Sequence, residues 1–269
     1  YFNLQFLSSE FITNISSFCS SNNICFQIDI IGNLATTGNW FYNLKKDHNQ
    51  IENLLSLPNN IISINASLYQ NAGATITQQL AYTLAHANEY LNYFGSKIAK
   101  KITFQFSVGS NYFFEIAKLR AFRILWDSLL KEYNISNIKA YIFTKPSLRN
   151  KTLYDYNVNL LRTSSECMSA VLGGSDTISN ISYDAVYHKS NEFGERIARN
   201  QLLILKKESE LSKAQNIVDG TYYIESITSQ LAEKALAIFK LIENGGGFLK
   251  QLKEGIIQKK IEEAASKEQ

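Results

Sequence analysis

Ile61-Ile-Ser-Ile-Asn-Ala-Ser-Leu-Tyr-Gln-Asn-Ala-Gly-Ala74 decides the fold. Its first half, Ile61 to Ala66, alternates apolar and small polar residues as a strand does. A polar turn follows, and Gly73-Ala74 opens a helix that carries Leu80, Leu84 and Tyr90 at helical spacing. A strand running through a turn into a long helix is the unit of a parallel α/β fold. In a barrel of such units the chemistry sits at the C-terminal ends of the strands. Ser67 to Asn71 is therefore where a catalytic group belongs, and it holds a hydroxyl, a leucine, a phenol and two amides, with no His, Cys or carboxylate.

Working outward, the same unit repeats. Strands are expected at Tyr1–Leu7, Ile24–Ile30, 61–66, Lys101–Val108, Ile138–Phe143 and near Thr177. Between them, helices are expected at Phe11–Phe18, about Asn49–Leu55, 74–92, Asn111–Tyr133 and Tyr156–Leu172, with a polar turn from Gly32 to Gly38. The aromatic and aliphatic stripe Tyr112, Ile116, Leu119, Trp126 and Leu130 reads as core. From Asn191 only helices follow, broken at Gly245-Gly246-Gly247. The expected organisation is a partial TIM-type (β/α)8 barrel of about six βα units over 1–190, with a helical extension over 191–269 packed on it. Right-handed crossovers are expected, and the missing strands would leave open edges.

Composition narrows the class. The chain has 269 residues, 45% of them hydrophobic, enough for a full core, and a net charge of +3 spread along helices rather than clustered on one face. That distribution gives no nucleic-acid surface. No run of about 18 apolar residues is present, and no basic segment precedes the first apolar run, so neither a spanning helix nor a signal peptide is read. Cys19, Cys25 and Cys167 show neither metal-ligand spacing nor disulfide logic, which favours a reducing compartment, with cytoplasm the expectation. A start at Tyr1 inside an apolar run suggests part of a longer polypeptide.

Other motifs carry little chemistry. The triple glycine at 245–247 lacks the preceding strand and following Lys-Ser/Thr of a P-loop and reads as a helix break. Glu262-Glu263 reads as a solvated helix face. His86 reads as a helix-surface or satisfied core residue rather than a ligand, and His48 and His188, in polar sequence, as solvated. No Ser-His-Asp or Cys-His set can be assembled from spacing.

Four stretches carry a resemblance: Gly73–Leu91 (GATITQQLAYTLAHANEYL), Asn111–Trp126 (NYFFEIAKLRAFRILW), Arg162–Asp184 (RTSSECMSAVLGGSDTISNISYD) and Arg196–Asn200 (RIARN). With Asp219-Gly-Thr-Tyr222 through Thr228, they resemble the acyl-CoA mutase domain of the methylmalonyl-CoA mutase family. The resemblance implies an eight-stranded barrel and an adenosylcobalamin-dependent isomerisation of methylmalonyl-CoA and succinyl-CoA through radicals, the CoA ester lying along the barrel axis. Inward Ser63, Asn65, Thr103 and Gln105 suit such a lumen, and equally suit ordinary strand alternation.

The departures are concentrated at the strand ends. The family's Tyr-His pair falls on Ser67 and Leu68, and a leucine neither donates a hydrogen bond nor acts as an acid. Gln27-Ile28-Asp29 resembles the family's Gln-Asn-Asp, but the family's carboxylate-binding Arg falls near Thr37, and no arginine lies between Asp29 and Lys45. The rim sequence His-Cys-Gln-Thr-Ser-Gly is replaced by Phe143-Thr144-Lys145-Pro146-Ser147-Leu148, and Gln-Ser-Leu-His by Asp176-Thr177-Ile178-Ser179. The cobalamin signature Asp-x-His-x-x-Gly does not occur. The resemblance thus implies the small, non-catalytic subunit of a heterodimeric mutase, binding no cofactor itself, whose large subunit carries adenosylcobalamin and the active site. Two other readings stand beside it: an acyl-CoA-binding regulatory module with a degenerate barrel, and an active mutase that recruits Tyr69 or Lys145.

Overall fold

The computed structural model describes residues 1–18 and 24–268. Six strands form one all-parallel sheet in sequential order: β1 (Phe2–Asn3), β2 (Cys25–Ile28), β3 (Asn60–Asn65), β4 (Ile102–Val108), β5 (Tyr141–Pro146) and β6 (Thr177–Ile178). Helices connect them: α1 (Ser9–Phe18), α2 (Ile30–Thr37), α3 (Leu44–Leu54), α4 (Ser67–Ala72), α5 (Ile76–Phe94), α6 (Tyr112–Glu132) and α7 (Val158–Leu172). The helices α8 (Glu192–Lys207), α9 (Tyr222–Asn244), α10 (Phe248–Lys253) and α11 (Ile256–Glu268) complete the chain.

The two faces of the sheet follow from strand alternation. On β4, Phe104 and Phe106 point outward against Phe122 of α6, with ring centroids 4.6 and 4.9 Å away, and Phe104 also meets Trp126. Thr103, Gln105 and Ser107 therefore point to the opposite, concave face. The register places Ser63 level with Thr103, then Tyr141, and Asn65 level with Gln105, then Phe143 and Thr177. The sheet curls: the Tyr1 hydroxyl, just before β1, lies 2.7 Å from the Tyr141 hydroxyl and 2.8 Å from Thr177 Oγ1, with its ring 4.8 Å from that of Phe143. The first strand thus reaches the fifth and sixth across the concave face. The result is a half-barrel with its helices outside.

The outer layer is the hydrophobic core. Each fully buried large side chain, such as Phe104, Phe122 or Leu80, contributes about 1.5–3 kcal/mol of apolar burial. α9 lies against both α5 and α6 through Ile224, Ile227, Leu231, Ala235 and Ile242, so the late helices cover the barrel's outer ring.

Several elements differ from the sequence expectation for local reasons. The stretch from Gly32 to Gly38 is helical: Asp29 caps α2 by accepting from Gly32 N at 2.8 Å, and Gly38 ends it at φ +76°. The turn after β3 is also a helix, α4, closed by Gly73 at φ +111°. The first strand is only Phe2–Asn3 rather than Tyr1–Leu7. The fifth strand runs Tyr141–Pro146 rather than 138–143, with Pro146 tolerated at its last position. Gly255, at φ +75°, divides the final helix in two. His48 is buried in α3, its Nδ1 2.7 Å from the Leu44 carbonyl and its ring 4.0 Å from Tyr93, not solvated. His188 is exposed, with Nδ1 3.6 Å from Asp184. Cys25 and Cys167 are buried free thiols, and burial pushes Cys167 up to about 12. Cys19 lies outside the described residues.

Candidate functional site

The C-terminal ends of β3, β4 and β5 open into a cleft of about 610 Å³, whose lining includes Gln70, Ser110, Asn111, Glu115, Ser147 and Arg149. α4 brings Ser67 and Leu68 to this end of the barrel. Ser67 is buried, and its Oγ meets no hydrogen-bonding partner among the described residues. Leu68 is half-buried and faces an apolar groove of about 460 Å³ with Ala72, Leu252, Ile257, Ile261 and Ala265. Thr37 is exposed at the end of α2, and its hydroxyl donates to the Asn33 carbonyl at 2.8 Å. Ser67 and Leu68 are thus neighbours on one short helix, while Thr37 is spent on its own helix.

The stretch 143–148 belongs mostly to β5 rather than to a rim. Phe143 and Lys145 point into the lumen, Thr144 points outward to Ser175 Oγ at 2.9 Å, and Ser147 N donates to the Val108 carbonyl at 2.8 Å. Asp176 accepts from Arg123 at 2.9 Å and from Ile142 N at 2.7 Å, so it anchors the start of β5. Thr177 belongs to the hydroxyl cluster with Tyr1 and Tyr141.

Beneath the rim lies a buried network that sequence reasoning did not assemble. His86, fully buried on α5, is 2.9 Å from the Tyr69 hydroxyl through Nδ1 and 2.9 Å from Asp29 Oδ1 through Nε2. Asp29 also accepts from Tyr90 OH at 2.9 Å, from Gly32 N at 2.8 Å and, on its other oxygen, from Asn65 N at 3.0 Å. The Tyr90 oxygen in turn accepts from Ile30 N and Ile31 N. With a carboxylate at Asp29 the consistent arrangement is Nε2–H donating to Asp29 and Tyr69 O–H donating to Nδ1. Burial pushes Asp29 up, but the His86 ring and the Asn65 and Gly32 amides outweigh it and hold the carboxyl below its ordinary value. Burial first, and the Asp29 charge second, push both Tyr69 and Tyr90 well up.

The network joins the ends of β2 and β3 to α2, α4 and α5. Phe248 of α10 stacks on His86 at 5.5 Å and 4°. Tyr69 is 2% exposed, and its hydroxyl turns inward to His86. His86 is a satisfied core residue. The available signal was the stripe Tyr82, His86 and Tyr90, one polar-tipped ring every four residues along α5.

A second buried constellation holds the loop after β5. Lys151 and Glu166 pair at 2.7 Å, each 1% exposed, and Asn150 Nδ2 donates to the same carboxylate at 2.5 Å. Burial pushes Lys151 down and Glu166 up, while each partner's charge pulls the other back. Lys118 likewise pairs with Glu115 at 2.5 Å and donates to the Ser107 carbonyl at 2.7 Å. Among the described residues no cluster of three His, Cys, Asp or Glu side chains is placed to hold a metal. The mouth over β3–β5 presents no imidazole or thiolate, so its residues do not fit the role of ligand to a corrin cobalt.

Sequential parallel strands curled inward, with helices outside and a polar mouth at the strand ends, define part of a (β/α)8 barrel of TIM type. The chain belongs to the methylmalonyl-CoA mutase family, whose profile, described as Methylmalonyl-CoA mutase, matches residues 20–269. It is similar to the methylmalonyl-CoA mutase small subunit of Porphyromonas gingivalis, 41% identical over 75% of this chain and 34% of that protein. The methylmalonyl-CoA mutase of Rhizobium meliloti is 37% identical over 78% of this chain and 31% of its own length. The large subunit of the P. gingivalis enzyme is 33% identical over 78% of this chain and 31% of its own length. The chain spans about a third of the length of these curated relatives.

Proposed function

We propose that this chain is the barrel portion of a non-catalytic small subunit in a heterodimeric, adenosylcobalamin-dependent methylmalonyl-CoA mutase. The observation that carries the reading is Leu68. At the position where the family resemblance implies a histidine, the side chain lies against the apolar faces of α10 and α11 and offers no donor or acid. Ser67 beside it has no phenol to lend, and Thr37 presents no guanidinium.

In this reading the large subunit holds the cofactor and interconverts methylmalonyl-CoA and succinyl-CoA. The small subunit buries surface against it and stabilises the folded partner by mass action. The similarity of the chain to both a small and a large subunit of one organism supports a pair of related chains. The division into a barrel at 1–190 and a packed helical extension at 191–269 belongs to the same proposal, as does a cytoplasmic location.

The test is co-expression of the full-length protein with a candidate large subunit, followed by size-exclusion chromatography and mutase assays on the complex and on each chain. A one-to-one complex whose turnover is abolished by mutating the large chain alone supports the reading. Isomerisation by the small chain alone with added adenosylcobalamin overturns it.

A further inference from the structure

The connections that follow β5 and β6 carry large apolar side chains into solvent. Leu153, Tyr154 and Tyr156 stand on the first connection, with Leu161 on the first turn of α7, and Val186 and Tyr187 stand on the second. Tyr154 is fully exposed, Leu161 is 73% and Leu153 57% exposed, and the other three are exposed as well.

These side chains form one surface rather than scattered tips. The Tyr156 ring lies 5.1 Å from that of Tyr187 and 6.2 Å from that of Tyr183. Asn159, fully buried, accepts from Thr152 N at 3.0 Å and donates to the Thr152 and Tyr183 carbonyls at 2.9 and 3.0 Å. One buried amide thus stitches the two connections together, and the Lys151–Glu166 pair fixes the base of the first. A surface held in this way loses little freedom when something docks on it.

Single exposed apolar residues are ordinary, but the largest contiguous patch on a soluble monomer measures only about 300–600 Å². Taking about 200 Å² for a whole tyrosine and about 150 Å² for an aliphatic residue, these six side chains leave roughly 600 Å² in water. That is most of the about 800 Å² that each partner buries in a stable protein complex. Three of the six are tyrosines, a residue type enriched at interfaces because its ring is apolar while its hydroxyl can still bond. We propose that this surface docks the large subunit, with Tyr154 and Leu161 as its anchors. The inference rests on the small-subunit reading and names the face of the chain that the large subunit covers. The partner it fits is a folded protein offering an apolar hollow with hydrogen-bond acceptors at its edge.

The experiment is calorimetric titration of the purified full-length protein with the candidate large subunit, for the parent, for the double variant Tyr154→Ala, Leu161→Ala, and for Leu241→Ala, which removes an exposed leucine from α9 instead. Urea midpoints, which truncation of exposed side chains leaves in place, show that each variant is folded. The expected result is a Kd at least about 30-fold weaker for the double variant, the effect of losing one interface hot spot, with Leu241→Ala binding as the parent does. If the parent binds and the double variant binds within about threefold of it, the surface assignment is overturned and the small-subunit reading stands. If the parent does not bind, that reading falls and this inference with it. A parent that self-associates through Tyr154 and Leu161 without binding the large chain gives the surface to a second copy and also overturns the proposal.

Discussion

Replacing His86 by leucine tests the buried network directly. The histidine is 0% exposed and holds two hydrogen bonds, to Tyr69 and Asp29, both 2.9 Å. Leucine fills a comparable volume but leaves the Tyr69 hydroxyl without a partner, which costs about 1–3 kcal/mol, and removes one charge-assisted bond from Asp29, about 1.5–3 kcal/mol. Losing the stacking on Phe248 and Tyr90 adds about 0.5–1.5 kcal/mol. The sum, about 3–7.5 kcal/mol, is a large part of an ordinary domain's stability of about 5–15 kcal/mol.

Tyr69→Phe removes only the outer bond and should cost about 1–2 kcal/mol, and the double variant should cost less than the two singles together by about 1 kcal/mol or more. The pH dependence has a fixed sign. Asp29 is held below its unfolded value, so its contribution is complete above about pH 4 and is lost as pH falls through the lower folded value. His86→Leu should therefore begin acid unfolding at higher pH than the parent. Urea denaturation followed by tryptophan fluorescence at neutral and acid pH measures all of this. A His86→Leu protein within about 0.5 kcal/mol of the parent, or strictly additive variants, would refute the network as a coupled unit.

Three further substitutions probe other parts. Gly73→Ala places a Cβ 2.5 Å from that of Ala265 at a φ of +111°, so α11 should lift from α4 and become sensitive to limited proteolysis. Glu166→Gln strands the buried Lys151 ammonium and should cost about 3–5 kcal/mol in a thermal or urea titration, while the Lys151→Met, Glu166→Leu pair should recover most of it. Arg120 ties Asn216, Asp219 and Glu225 together near the surface, so Arg120→Met should change global stability by no more than about 1 kcal/mol and yet speed cleavage within 209–221.

The parallel βα organisation was legible because β3, β4, α5 and α6 have the right period over enough residues to distinguish strand from helix. α2 and α4 were not, since eight- and six-residue helices complete barely two turns and their signals lie in contacts. Asp29 caps α2 locally, but the same carboxylate is held by His86, 57 residues on. No spacing rule links those positions. His48 looked solvated because its sequence neighbours are polar, whereas its ring is buried by Trp40, Tyr93 and Phe94 from other segments. At the candidate site, the departure of Ser67 and Leu68 from the residues the family resemblance implies was visible from residue type alone. The inward turn of Tyr69 toward His86 needed the three-dimensional structure.

The Tyr1 hydroxyl bears on how this chain acquires its shape. Every strand pairs only with its neighbour in sequence, so the sheet can grow one βα unit at a time, each closure spanning a few tens of residues. The bonds from Tyr1 to Tyr141 and Thr177 bridge 140 and 176 residues and can form only after the intervening units have docked. Because the entropy of closing a loop rises only logarithmically with its length, the added cost is modest. The tyrosine is a late clasp, turning a stack of neighbouring units into a ring segment with a defined curvature.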